Sequence, residues 1–245
     1  MKRYFILVAA VLLVPMAVFA QPWSDNFESY SNGDNLHGVS GWLGWDGDAN
    51  STGFVTNAFS NSAPNSLAID GTGPGRVVSD LVQEFTASGS GIYLLHTETY
   101  FPGNSTGTQW FIMLNRYNVG GAKDWSTQTQ FNHTTGMVTE VDSHIPDRSG
   151  SIPIVYDRWA PIDMVIDLDN DLVSFSYNNT SLYVDQPWQQ TGDLAIGAVD
   201  LWSNFASVMY YDDMSLNLVP EPATMLALGA GLALLIRRRR RKTSL

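Results

Sequence analysis

Between Gln21 and Asn217 the apolar positions recur at every second residue, and no stretch sustains the three-to-four spacing of a helix. In Ile92 to Phe101, for example, Tyr93, Leu95, Thr97, Thr99 and Phe101 fall on one face and His96, Glu98 and Tyr100 on the other. The same alternation predicts strands over Gln109 to Arg116, Gly136 to Asp142, Trp159 to Asp167, Leu172 to Tyr177, Leu194 to Trp202 and Ser207 to Leu216. Fainter alternation adds Asn26 to Tyr30, Gly53 to Thr56, Ser66 to Ile69 and Arg76 to Phe85. The segments between them, such as Gly71 to Gly75 and Pro102 to Gly107, hold the Gly, Pro and Asn that tight turns require. Roughly eleven or more antiparallel strands in a segment of this length predict an all-β fold, a two-sheet sandwich of the jelly-roll kind.

The pattern changes at both ends. Residues 1–20 open with Lys2 and Arg3, run apolar from Tyr4 to Val14, break at Pro15 and finish with Ala17-Val18-Phe19-Ala20. A basic start, a short apolar run and small residues before a cleavage point describe a secretory signal peptide, and the run falls short of the ~20 residues of a permanent span. At the other end Val219-Pro220-Glu221-Pro222 leads into the apolar stretch Met225 to Ile236 and then Arg237 to Arg241 and Lys242. From Ala223 to Ile236 a helix would measure ~21 Å against a hydrocarbon core of ~30 Å, which is marginal as a stable span. The basic cluster after it holds that end on the cytoplasmic side. The expected organisation is a signal peptide over 1–20, a β-sandwich domain over 21–217 and a sorting region over 218–245.

The order Pro-Glu-Pro, apolar helix, arginine cluster resembles the PEP-CTERM sorting signal of Gram-negative bacteria that make extracellular polysaccharide. The resemblance implies that Pro220, Glu221 and Pro222 are read by an exosortase, that the tail engages the inner membrane transiently, and that the protein ends at the cell surface or in the extracellular matrix. An ordinary tail anchor is the alternative reading. Three passages of the middle segment resemble concanavalin A-like lectin/glucanase and laminin G-like sandwiches: Asp25 to Tyr30, the loop Gly41 to Gly47, and the hairpin from Trp159 through Asp167-Leu168-Asp169-Asn170-Asp171 to Asn179. The closing Tyr210-Tyr211-Asp212-Asp213-Met214-Ser215-Leu216 is similar to the last strand of carbohydrate-binding jelly rolls.

Charge narrows the partners. Eight of the 13 basic residues lie in the two end segments, and nearly all 24 acids lie between them, so the middle stands near −18 against −11 for the whole chain. Nucleic acid is excluded, because binding to phosphate backbones needs basic patches. An anionic polysaccharide would be repelled unless cations bridged it, which favours a neutral glycan. There is no cysteine, so disulfides, thiolate metal sites and a cysteine nucleophile are absent.

Candidate chemistry follows from the residues left over. Trp42, Trp45, Trp125 and Trp188 sit in or beside loop-like segments with Asp, Asn and Gln nearby, the pairing that stacks a ring on a sugar and holds its hydroxyls. Capping the ends of the sandwich is the other use of such rings. Trp110, Trp159 and Trp202 lie on strands and read as core. Glu28 near the start and Asp212 or Asp213 near the end are candidates for a structural Ca²⁺, since in the jelly rolls that this chain resembles the terminal strands lie side by side and such acids share an ion. The acids of Asp167 to Asp171 lack the glycine and distal glutamate of an EF-hand loop and read as a turn.

Evidence for catalysis is thin. The E-x-D-x-E strand of laminarinase-like enzymes does not occur, and His96, Glu98 and Tyr100 are the nearest set for a hydrolase or lyase. His37, His133 and His144 have no metal-ligand spacing, and no catalytic residue is assigned. The leading expectation is a non-enzymatic surface protein that associates with exopolysaccharide through a lectin-like sandwich. A secreted glycoside hydrolase or polysaccharide lyase of the same fold, and a purely structural envelope component, are the alternatives.

Overall fold

The computed structural model describes residues 23–72, 78–141 and 148–220. The expected signal peptide, His144, Glu221, Pro222 and the apolar stretch of the tail lie outside the described residues. Within them the chain forms fifteen strands: β1 (Trp23–Asp25), β2 (Trp42–Gly44), β3 (Phe54–Thr56), β4 (Ser66–Ile69), β5 (Val78–Ser88), β6 (Ile92–Tyr100), β7 (Thr108–Tyr117), β8 (Lys123–Asn132), β9 (Met137–Glu140), β10 (Ile152–Pro153), β11 (Trp159–Asp167), β12 (Leu172–Tyr177), β13 (Thr180–Pro187), β14 (Ala195–Asn204) and β15 (Met209–Val219). Among the described residues the single helical element is one 3₁₀ turn at Trp45–Gly47. The fold class is the one the alternation predicts.

An eight-stranded sheet runs β13-β12-β11-β6-β15-β4-β3, with β1 also pairing β15, and a seven-stranded sheet runs β10-β9-β8-β7-β14-β5-β2. All pairings are antiparallel. The inner faces meet in one large apolar cluster that includes Leu95, Phe111, Phe131, Ile162, Phe175, Val199, Leu201 and Tyr211. On β6 and β11 the alternate residues His96, Glu98, Asp163 and Val165 face outward, so these strands follow the half-buried pattern of an antiparallel sheet. The Asp167–Asp171 segment is the turn between β11 and β12, with Asp167 Oδ1 accepting the N–H groups of Asp169 and Asn170 at 3.0 Å each.

Several boundaries differ from the reading of the sequence. The first strand is Trp23–Asp25, and the expected strand at Asn26 to Tyr30 is a turn in which Phe27 takes a positive φ of 60°. Three strands, β8, β10 and β13, fall where no alternation was visible, and β2 lies within a passage read as loop. The last strand continues to Val219, opposite Ile92 on β6, so the sandwich ends against Pro220.

A candidate glycan-binding face

The seven-stranded sheet is apolar on both sides. Ile196, Val199, Leu201, Phe111 and Met113 point into the main core, while Val82, Ile112, Leu114, Tyr117 and Ala198 form a second buried cluster. Because successive side chains on a strand point to opposite faces, this second cluster lies on the sheet's outward side. Trp45, Trp110 and Trp202 pack against it.

Register fixes the order of residues across this face. Asp80 on β5 stands opposite Trp202 on β14, which stands opposite Trp110 on β7, which stands opposite Gln130 on β8. The next row reads Val82, Asp200, Ile112 and Gln128, and the one after it Glu84, Ala198, Leu114 and Trp125. Trp110 and Trp202 stack with ring centroids 5.5 Å apart and planes 26° apart, and both are half-buried. Four residues farther along β7, about 13 Å at the rise of a strand, Trp125 stacks on Trp45 at 6.3 Å and 28°. Trp125 is 43% exposed, and Trp45 is held in place from below by Tyr117 at 5.3 Å and by Lys123 Nζ over its ring at 5.1 Å. Lys123 in turn pairs with Asp46 at 2.5 Å, and the Asp46 N–H donates to the Tyr117 hydroxyl at 2.8 Å. The turn carrying Trp45 is therefore clamped to the β7–β8 hairpin.

Two carboxyls lie beside Trp202: Asp80 stands opposite it on β5, and Asp200 comes two residues before it on β14, diagonal to Asp80 across the ladder. Burial pushes Asp80 up to about 6, and burial together with the Asp80 charge raises Asp200 well above the usual carboxylate range. Asp80 Oδ1, Asp200 Oδ1 and Trp110 Nε1 are enclosed with no hydrogen-bond partner.

The sequence-derived candidates divide sharply. Trp45 and Trp125 come together on this face, as stacking partners. Trp42 and Trp188 do not: both are fully buried, and the expectation that they stack on sugar is corrected. Trp42 lies on β2 between Trp23 and Phe27 and donates from Nε1 to Asp25 Oδ2 at 2.9 Å. Trp188 donates to the Ala195 carbonyl at 2.8 Å and closes the core near the β13 end. Trp110 and Trp202, read as core, are the outward pair, and Asp80 and Asp200 were not singled out at all. The signal that could have found them is the unbroken apolar run at Trp110 to Leu114, which marks a strand covered on both faces.

The acids proposed for calcium are bridged by the loop that carries Asn61, Ser62 and Asn65. Asn61 and Ser62 donate their N–H groups to Asp212 Oδ2 at 2.7 and 3.0 Å, the Ser62 hydroxyl donates to Asp213 Oδ1 at 2.9 Å, and the Asn65 N–H donates to Glu28 Oε1 at 3.2 Å. Among the described residues no three His, Asp or Glu side chains converge as a metal centre would require. A groove of about 580 Å³ beside β1 and β15 is lined by Asp25 and Asp213, not by Glu28. On the eight-stranded sheet His96 Nδ1 meets Asp163 Oδ1 at 2.7 Å, and Glu98 beside them is raised by burial. His133 is buried against Tyr156 and Phe101, which lowers its ring to about 4 and keeps it neutral.

Residues 218–241 match the family model of the PEP-CTERM protein-sorting motif. The chain carries that motif. The motif implies export to the cell surface with exosortase processing, and it covers the end of the chain, leaving the sandwich outside the match. Pro220 is exposed directly after β15, where the motif begins. Among the described residues no helix is long and apolar enough to cross a membrane. No curated protein matches the chain. Among solved structures the chain is similar to a sialidase (6% identity, TM-score 0.57, 82% of this chain and 19% of that one) and to the alginate lyase Aly36B (14% identity, TM-score 0.51, 82% and 98%). A weaker likeness is to the carbohydrate-binding module CBM66 from Bacillus subtilis (11% identity, TM-score 0.43, 72% and 95%). The chain spans about a fifth of the length of the sialidase. At these identities the likeness is one of fold.

Proposed function

We propose that the protein is an exported binder of extracellular polysaccharide, and that a glycan chain lies along the outward face of the seven-stranded sheet. The observation that carries this reading is the pair of tryptophan stacks, Trp110 with Trp202 and Trp45 with Trp125, on one face. Flat rings suit the apolar faces of sugar rings, Trp125 being exposed and the other three half-buried, and Gln128 and Gln130 on the same face offer amides for the hydroxyls. Export to the cell surface, which the sorting motif implies, supports this reading. Binding without cleavage is the reading adopted.

The test is Trp110→Ala combined with Trp202→Ala. Each ring contributes on the order of 1 kcal/mol of contact beyond its area, so loss of both should weaken polysaccharide binding by at least roughly tenfold. Circular dichroism of the double variant should show the wild-type β signal. Unchanged affinity in a folded double variant would refute the assignment of this face.

A further inference from the structure

Register on the eight-stranded sheet sets four polar side chains in a row across its outward face. Ser24 on β1 stands opposite Ser215 on β15, Ser215 stands opposite His96 on β6, and His96 stands opposite Asp163 on β11. Side chains directly opposite each other have Cβ atoms about 4.5 to 5.5 Å apart, so each member of the row is within reach of the next. Ser24 is exposed and the other three are half-buried, so all four are open to a ligand. A groove of about 580 Å³ begins at the β1 end of the row, and Ser24 and Ser215 line it together with Asn26 and Asp213. That volume is in the range of pockets that hold small molecules.

The order of the row sets its chemistry. His96 Nδ1 meets Asp163 Oδ1 at 2.7 Å. A carboxylate only accepts, so Nδ1 carries the proton and Nε2 keeps a free lone pair. The two nitrogens of an imidazole point to different sides of the ring. With Nδ1 turned to β11, Nε2 is turned away from Asp163 toward the β15 side, where Ser215 stands. The structure holds no hydrogen bond between Ser215 and His96, and contacts between a nucleophile and its base are often long until substrate binds. On the far side of Ser215 the Ser24 hydroxyl is a donor of the kind that stabilises an oxyanion.

We propose that this row is a hydrolytic site for small carboxylic esters, with Ser215 as nucleophile, His96 as general base and then acid, Asp163 positioning the ring and Ser24 donating to the oxyanion. Ser215 Oγ attacks the ester carbonyl carbon, and its proton passes to His96 Nε2. The bond from that carbon to the alcohol oxygen breaks, the alcohol leaves with the proton, and the acyl group stays on Ser215. Water repeats the sequence: its proton goes to His96, its oxygen bonds to the acyl carbon, and Ser215 takes the proton back as the carboxylic acid departs. The hydroxyls and the amide along the groove suit an ester of a polyhydroxy alcohol. The site lies on the sheet opposite the tryptophan face and cuts no glycosidic bond, so it stands apart from the polysaccharide-binding reading.

The experiment treats the full chain with a fluorophosphonate, which labels activated serines, and locates the label by mass spectrometry. Hydrolysis of 4-nitrophenyl acetate is followed in parallel. Wild type should be labelled at Ser215 and should turn over the ester, and Ser215→Ala and His96→Ala should each lower kcat by at least roughly a hundredfold. Asp163→Asn should lower kcat by at least about tenfold and leave KM unchanged, the split expected of a group that positions the base without touching substrate. Wild type without label on Ser215 overturns the proposal and needs no variant to fold. So does a Ser215→Ala or His96→Ala chain that keeps both the wild-type circular dichroism and the wild-type rate. Either failure leaves the polysaccharide-binding reading untouched, since that reading is tested on the other sheet.

Discussion

The two outward faces of the sandwich are built from the same strand geometry and differ in what their polar groups lack. On the eight-stranded sheet His96 and Asp163 meet each other, and Asp212 and Asp213 are met by Asn61 and Ser62. Its aromatic side chains Phe59, Tyr100, Tyr210 and Trp159 pack mainly on one another, with Phe59 over Tyr100 at 4.4 Å. On the seven-stranded sheet the tryptophans likewise pair, but Asp80, Asp200 and Trp110 each keep an enclosed polar atom with no partner. Native structures rarely leave such atoms unmatched. The acids named on the first face are matched by protein groups, whereas those on the second keep an enclosed, unmatched oxygen.

The largest expected effect separates interior from face using one residue type. Trp42→Ala empties a fully buried site and removes an N–H donor from Asp25, at a cost of about 3 to 5 kcal/mol. The melting temperature should fall on the order of 10 °C, whereas single alanines at Trp110 or Trp202 should act mainly on binding. A Trp42 variant with wild-type melting would mean that this ring is no core plug.

An intermediate effect should appear with pH. The folded-state pKa values of Asp80 and Asp200 lie above the unfolded value, so their contribution to stability is fully present below about pH 4; the Asp80 part is lost as pH rises through about 6, and Asp200, raised well above the usual carboxylate range by burial, adds to the loss as pH rises. Asp212, raised to about 6 mainly by burial, titrates in the same window. Asp200→Asn removes the Asp200 part and leaves those of Asp80 and Asp212. Thermal melts across this range should therefore show the variant gaining on wild type by several degrees as pH rises. A constant offset between the two would show that the Asp200 carboxyl is not raised in the folded state.

The smallest effect belongs to the complete face. The His96 and Asp163 side chains are each about one-third exposed, and surface pairs of this kind contribute roughly 0 to 1 kcal/mol. His96→Ala should shift the melting temperature by no more than a few degrees and leave glycan affinity untouched. A loss of binding in that variant would move the ligand to the eight-stranded sheet and undo the contrast between the faces.

How much of this was legible in the sequence depended on the contrast within each strand. β6, β11 and β12 alternate apolar with polar, and their spans were readable almost to the residue. β8 was invisible because Thr127 and Thr129 point inward while Gln128 and Gln130 point outward, so both faces look polar. β13 is an edge strand with Val184 exposed and Asp185 at a positive φ, features that blur period two. Trp110 and Trp202 were misplaced for the opposite reason: on a sheet apolar on both sides, parity alone does not say which side is out. The Asp80–Asp200 pair exists only through the β5–β14 register, a tertiary relation that no local window contains. Trp42 and Trp188 were read as loop residues by their glycine and glutamine neighbours, but burial, which decides their role, is set by chain segments distant in sequence.

The strand that leads into the sorting motif also has a mechanical meaning. β15 is flanked by β6 on one side and by β1 and β4 on the other, and at its far end Val219 is bonded opposite Ile92 while Leu216 faces Trp23. A pull applied at Pro220 is directed along β15 itself. It loads the hydrogen bonds of both flanking ladders in shear, many at once, where a terminal edge strand would peel away one bond at a time. The end of the sandwich that leads to the tail is therefore suited to bear tension applied through the tail.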